Sequence, residues 1–177
     1  EEKPSKNEIV KKVIENCNPS QISHICNFYW RNNEDLTKCH RSMIIDLWES
    51  ITKSLTDTDT NMKIADSLSY LITVVNELDE RSGTVLLETV KFMGSTSSFS
   101  LFTDNLLRLL PQNPRLVGEI YVMLAEKDEY PFAREESITS LVKKLYEFGE
   151  KDNANKICRL YTKSGHLFLR KLFAKYN

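Results

Sequence analysis

Five side chains that could hold a metal crowd the N-terminal quarter: Cys17, His24, Cys26, Cys39 and His40. Thiolate and imidazole are the usual ligands of structural zinc. Such sites bring them in close pairs, Cys-x2–4-Cys or His-x3–5-His. No such pair exists here. On a helix, His24 and Cys26 point about 200° apart and Cys39 and His40 about 100° apart. Cys26 and Cys39 are therefore expected to be small buried hydrophobes, and His40 a core-edge histidine. Asp57, Asp59 and Asn61 match positions 1, 3 and 5 of an EF-hand loop. Met62 stands where that loop needs glycine, and Leu68 where it needs a bidentate Glu. A helix start and a solvated loop are expected instead of a calcium site. No metal and no cofactor are expected.

Catalytic signatures fail in the same way. There is no Gly-x-x-x-x-Gly-Lys-Ser/Thr, Gly-x-Gly-x-x-Gly, Gly-x-Ser-x-Gly, His-Glu-x-x-His or Cys-x-x-Cys. The five glycines are scattered at 83, 94, 118, 149 and 165. Glu34-Asp35 and Asp79-Glu80-Arg81 fit helix-end solvation better than a carboxylate dyad. We expect no catalytic residues and no enzyme.

Two surface features remain, both near the C-terminus. Lys156, Arg159 and Lys163 lie opposite the apolar stripe of one helical segment, and Arg170, Lys171 and Lys175 do so on the next. A cationic ridge can meet nucleic-acid phosphates, and Lys156, Arg159, Lys163, Arg170 and Lys171 are the candidates for that chemistry. A solvated polar face is the plainer alternative. Phe168, Leu169, Leu172, Phe173 and Tyr176 form an apolar face with three aromatics, suited to docking a partner or a second copy. Upstream, Phe28 and Trp30 flank the stripe carrying Tyr29 and are expected to pack neighbouring helices or a partner.

The balance of charge is even, with 24 Lys/Arg against 25 Asp/Glu, so the whole chain makes no electrostatic case for nucleic acid. Its distribution is uneven. Residues 34–90 hold 5 basic and 11 acidic residues, and residues 143–177 hold 9 and 3. Glycine and proline number only 5 each, below the average of roughly 7% and 5%. All-β and doubly wound folds spend more glycine on turns and phosphate loops. No stretch approaches the roughly 20 apolar residues of a membrane span. The chain opens on charged residues without Met, which suggests a domain of a longer protein. Sparse cysteines and the absence of a glycosylation acceptor suggest the cytoplasm or nucleus.

The elements that must position these residues are helices. Apolar stripes at i, i+3, i+4 and i+7 recur about ten times. Ser5-Lys-Asn-Glu8 is a capping box. Ser20 is expected to cap a second helix. A third covers about 36–55, a fourth 61–79 and a fifth 84–93, with Gly94 as its C′ glycine. A sixth covers 99–110. Asn113-Pro114 is a strong start signal for the seventh. The eighth, 134–148, aligns Ile138, Leu141, Val142, Leu145 and Tyr146, and Gly149 ends it. Asp152 is expected to cap a ninth, ended by Gly165, and a tenth covers 166–176.

The segment from Leu145 to Gly165 has a helix, a Gly/Asp turn, a second helix with small Ala154, and Lys-Ser-Gly. It resembles degenerate tetratricopeptide- or pentatricopeptide-type repeats. The likeness lies in the C-terminal quarter of the chain and carries no functional residue with it. The expected fold is one all-α domain over 1–177, about ten antiparallel helices in a short α-solenoid, with a compact bundle as the alternative. The expected role is protein–protein interaction or scaffolding, through another protein or self-association. An RNA- or DNA-binding module using the basic end is the rival.

Overall fold

The structure, a computed structural model, describes residues 6–31, 38–56, 59–75, 77–94, 99–127 and 134–177. Among the described residues all regular structure is helical, in eleven helices. They are α1 (Lys6–Asn16), α2 (Pro19–Arg31), α3 (Lys38–Ser54), α4 (Asp59–Ser69), α5 (Leu71–Val75), α6 (Glu80–Phe92), α7 (Phe99–Leu109), α8 (Pro114–Lys127), α9 (Glu135–Glu147), α10 (Lys151–Lys163) and α11 (Arg170–Tyr176). The chain divides into two compact units, Glu1–Asn76 with Glu88–Gly94, and Glu77–Leu87 with Ser95–Asn177.

In the first unit α1 packs on α3, α2 on α4 and α5, and α3 on α5. The start of α2 differs from expectation. Asn18, not Ser20, is the cap: its Oδ1 accepts from the Gln21 backbone N–H at 3.0 Å, and Gln21 Oε1 accepts from the Asn18 N–H at 2.8 Å. This reciprocal pair satisfies two free donors and leaves Pro19 at the first helical position, where its missing N–H costs nothing. The helix expected over 61–79 is broken at Tyr70. There the bonds shift to i→i+3 (Tyr70 to Ser67, Thr73 to Tyr70). Ser69 Oγ and Thr73 Oγ1 donate to the Asp66 and Tyr70 carbonyls. Hydroxyls competing for carbonyls weaken continued helix there. The core is built on Ile44, Leu47, Ile51, Leu68, Leu71, Ile72 and wholly buried Trp48. The Trp48 indole N–H donates to Thr89 Oγ1 at 2.8 Å, and Thr89 shares a 2.9 Å bond with Thr52.

The second unit takes in the first turns of α6. That helix begins at Glu80, four residues before expectation. Asp79 Oδ1 caps it by accepting from the Ser82 N–H at 2.7 Å. α7 packs on α8 and α9, α8 on α10, α9 on α10 and α11, and α10 on α11. Asn113 caps α8 as expected, accepting from the Leu116 N–H at 3.2 Å. The expected stripes of α8, α9 and α10 are buried, including Ile138, Leu141, Val142, Leu145 and Tyr146.

Gly149 and Gly165 end α9 and α10 with φ of 85° and 87°. In each, the glycine N–H bonds three residues back and the next N–H five back: Glu150 to Leu145 at 2.9 Å, and His166 to Tyr161 at 2.8 Å. These are paired Schellman caps, which require left-handed backbone. Gly94 follows α6 without that conformation. Asp152 does not cap α10. The N-cap is Glu150, with no side-chain bond, and Asp152 sits in the first turn, where a carboxylate favours the helix dipole. Ser5, expected to cap α1, lies outside the described residues.

Candidate functional site

The chain leaves α10 through the Gly165 cap and does not resume helix at 166. Residues 166–169 form a turn, with the Arg170 N–H bonded to the Leu167 carbonyl at 3.0 Å. The turn buries Leu169 and throws Leu167 outward, 59% exposed. α11 is therefore seven residues long, shorter than the expected helix.

Cys158, Arg159, Thr162 and Lys163 of α10, Leu167 of the turn, and Arg170 and Phe173 of α11 line one groove of about 540 Å³. Its apolar part is Leu167 and half-buried Phe173. Its rim carries three exposed cations, Arg159, Lys163 and Arg170. Among the described residues none of the three forms an ion pair, whereas Lys143 of α9 is held by Glu147 at 3.7 Å.

A polar cluster sets where α11 lies. The Tyr146 hydroxyl donates to Asn155 Oδ1 at 2.6 Å. Asn155 and Asn177 exchange amide bonds at 3.0 and 2.8 Å. Tyr176 stacks on Tyr146, centroids 4.4 Å apart and planes 3° from parallel. Burial pushes the Tyr146 phenol up to about 12, with the nearby Cys158 adding to the shift. Burial also raises Cys158. Both groups are neutral at pH 7, and this cluster holds α11 against α9 and α10.

The sequence proposed two separate residue sets here, and the structure merges part of each. Arg159, Lys163 and Arg170 join Phe173 in the groove, while Lys156 and Lys171 are exposed outside its lining. Leu169, 1% exposed, is core and not a docking residue. Phe168 is half-buried, its ring 5.5 Å from Tyr161 and 6.4 Å from His166. Leu172 is half-buried, and Tyr176 is covered on one face by Tyr146. Leu167 was missed, because a helix drawn from 166 takes it off the apolar stripe.

No family model matches the chain, and no match was found among curated proteins or solved structures. The chemistry of the site rests on the residues themselves.

The first unit has its own groove, of about 760 Å³, between α1, α2 and α3. Cys17, His24, Ile25, Met43 and Leu47 line it together with Phe28, which is 61% exposed. Of the five side chains weighed as possible metal ligands, Cys17 and His24 face this groove, and Cys26 is buried with its thiol pushed up to about 12 by desolvation. The side chains of Cys39, His40 and Trp30, and those of the EF-like segment 57–61, lie outside the described residues. Among the described residues no three His, Cys, Asp or Glu side chains gather as a metal site. No described helix is long and apolar enough to cross a membrane.

Proposed function

We propose that the chain is a protein–protein interaction module built of stacked helical hairpins, in the manner of a degenerate tetratricopeptide- or pentatricopeptide-type array. The pairing in the second unit supports the stacking. Each hairpin partner packs on its neighbour and on the next helix but one (α7 on α8 and α9, α8 on α10). Such stacking lays helices in two layers and leaves grooves between them for peptides.

The observation that carries the reading is the pair of apolar-floored grooves, each presenting a large hydrophobic side chain to solvent: Phe28 in one, Leu167 in the other. Isolated exposed hydrophobics are ordinary, but one set in a concave, mostly apolar surface marks a binding site. Selection from a random peptide library tests this. Enriched peptides should bind in solution, and Phe28→Asp or Leu167→Asp should abolish binding of one peptide class while the helical circular dichroism stays unchanged. Peptides insensitive to both substitutions would sink the reading.

The unpaired cations of the α10–α11 groove, Arg159, Lys163 and Arg170, support the nucleic-acid reading as the second choice. That reading requires affinity falling steeply with salt. Here we expect nothing tighter than non-specific binding, roughly 10⁻⁴–10⁻⁶ M at physiological salt.

A further inference from the structure

We propose that the groove between α10 and α11 receives an acidic peptide segment of a partner protein, carrying one apolar side chain that seats on Leu167 and Phe173. The proposal rests on the protein-binding reading above and adds the chemistry of the occupant. Charge complementarity supplies the argument. Arg159, Lys163 and Arg170 surround the groove with no carboxylate paired to them among the described residues. Elsewhere on the same unit some exposed cations have carboxylate partners, Arg134 with Asp104 at 3.7 Å, Lys143 with Glu147 at 3.7 Å and Arg115 with Glu119 at 3.9 Å. Lys151, Lys156, Lys171 and Lys175 have none among the described residues; Arg159, Lys163 and Arg170 differ from these in converging on one groove. The rim therefore offers two guanidinium forks and one ammonium to incoming carboxylates, with bidentate geometry open at both arginines.

The floor decides between an acidic peptide and nucleic acid. Single-stranded nucleic acid binds by stacking bases on aromatic faces. Among the lining residues Phe173 is the single ring and is half-buried, and the rings beside the groove are engaged: Tyr176 lies flat on Tyr146, and Phe168 packs on Tyr161. The most exposed apolar side chain of the groove is Leu167, an aliphatic side chain that cannot stack a base but can cover an apolar side chain. A backbone-tracking ridge would also use Lys156 and Lys171, and these lie outside the groove. Cations beside an apolar floor suit a chain that alternates carboxylates with a hydrophobic anchor.

The test uses the full chain and fluorescence anisotropy at physiological salt. The probes are short labelled peptides: one of Asp and Glu with a central Leu, the same peptide with Leu→Ser, and a Gln/Asn version keeping the Leu. A single-stranded oligonucleotide is the fourth probe. The acidic Leu peptide should bind best and weaken as salt rises. An exposed ion pair contributes about two- to fivefold, so the combined R159Q, K163Q and R170Q variant should weaken it about tenfold or more. Leu167→Asp should remove binding. Both variants change exposed side chains, and unchanged circular dichroism confirms the fold. Equal binding of the Gln/Asn peptide, indifferent to the triple variant, overturns the acidic occupant and leaves the protein-binding reading standing. Equal binding of the Leu→Ser peptide reduces the effect to general charge attraction and also overturns it. Tighter binding of the oligonucleotide transfers the groove to the nucleic-acid reading. Failure of all the peptides, together with an empty library selection, removes both readings.

Discussion

Among the described residues three thiols differ only in their surroundings, and the difference sets their chemistry. Cys26 and Cys158 are buried, and burial raises both pKa values, Cys26 to about 12. The thiolate is the reactive form. In the native protein at pH 7.5, Cys17, half-buried beside an open groove, should be alkylated first, with Cys26 and Cys158 reacting after denaturation. Mass mapping of the labelled sites checks this. The same shifts set a pH dependence. A group whose folded pKa lies above its unfolded value binds its proton more tightly when folded, so its contribution is complete below the unfolded pKa and is lost as pH rises through the folded one. For Cys26 that window is from 9.0 to about 12, and for Tyr146 from 10.0 to about 12. Melting temperature should therefore fall as pH is raised above 9, and Cys26→Ala should flatten part of the fall. At Trp48, Thr89→Val removes the acceptor of a buried indole N–H. We expect a loss of about 1–3 kcal/mol in urea unfolding, the usual cost of orphaning a buried polar group.

Among the elements, glycine does two different jobs. At Gly165 an added Cβ would meet nothing within 4 Å, yet φ is 87°. The cost of Gly165→Ala is then purely that of left-handed backbone, about 1–2 kcal/mol. Gly165→Asn should recover part of it, since Asn tolerates that conformation. At Gly118 the backbone is ordinary helix and space is the constraint: an added Cβ would lie 2.7 Å from Asn153 Nδ2 and 2.8 Å from its Cβ. Glycine there lets α8 and α10 approach closely. Gly118→Ala should cost roughly 1–3 kcal/mol by overpacking. Asn153→Ala should not rescue it, because the Cβ of residue 153 is itself part of the clash. Denaturant midpoints of the single and double variants separate the two mechanisms.

For the molecule as a whole, helical periodicity and charge placement are the governing facts. The helices account for most of the described residues, so far-ultraviolet circular dichroism should report helix well above the typical third. A strand-rich spectrum would contradict the architecture. Charge separates along the chain, 11 acidic against 5 basic residues over 34–90 and 9 basic against 3 acidic over 143–177. Near the isoelectric point of about 6.4 net repulsion vanishes while opposite regions of different molecules still attract. Light scattering at low ionic strength should rise near that pH and fall when salt is added.

The sequence by itself determined the helical class, the buried stripe of α9, the Asn113 cap and the glycine ends of α9 and α10. Each of these is local: a 3.6-residue period, an amide before proline, or a residue without Cβ at a helix end. Competition between equally local signals was not resolved there. Asn18 and Ser20 both qualify as caps, and only the Gln21 amide reaching back decides for Asn18. Hydroxyls at Ser69 and Thr73 divide one apolar stripe into two helices, which periodicity does not register. The groove needed tertiary structure altogether. Burying Leu169 delays α11 by four residues and turns Leu167 to solvent. Two sets of side chains proposed for different partners then meet in one concave surface, because their positions depend on how α11 is pinned by Tyr146, Asn155 and Asn177 rather than on their spacing along the chain.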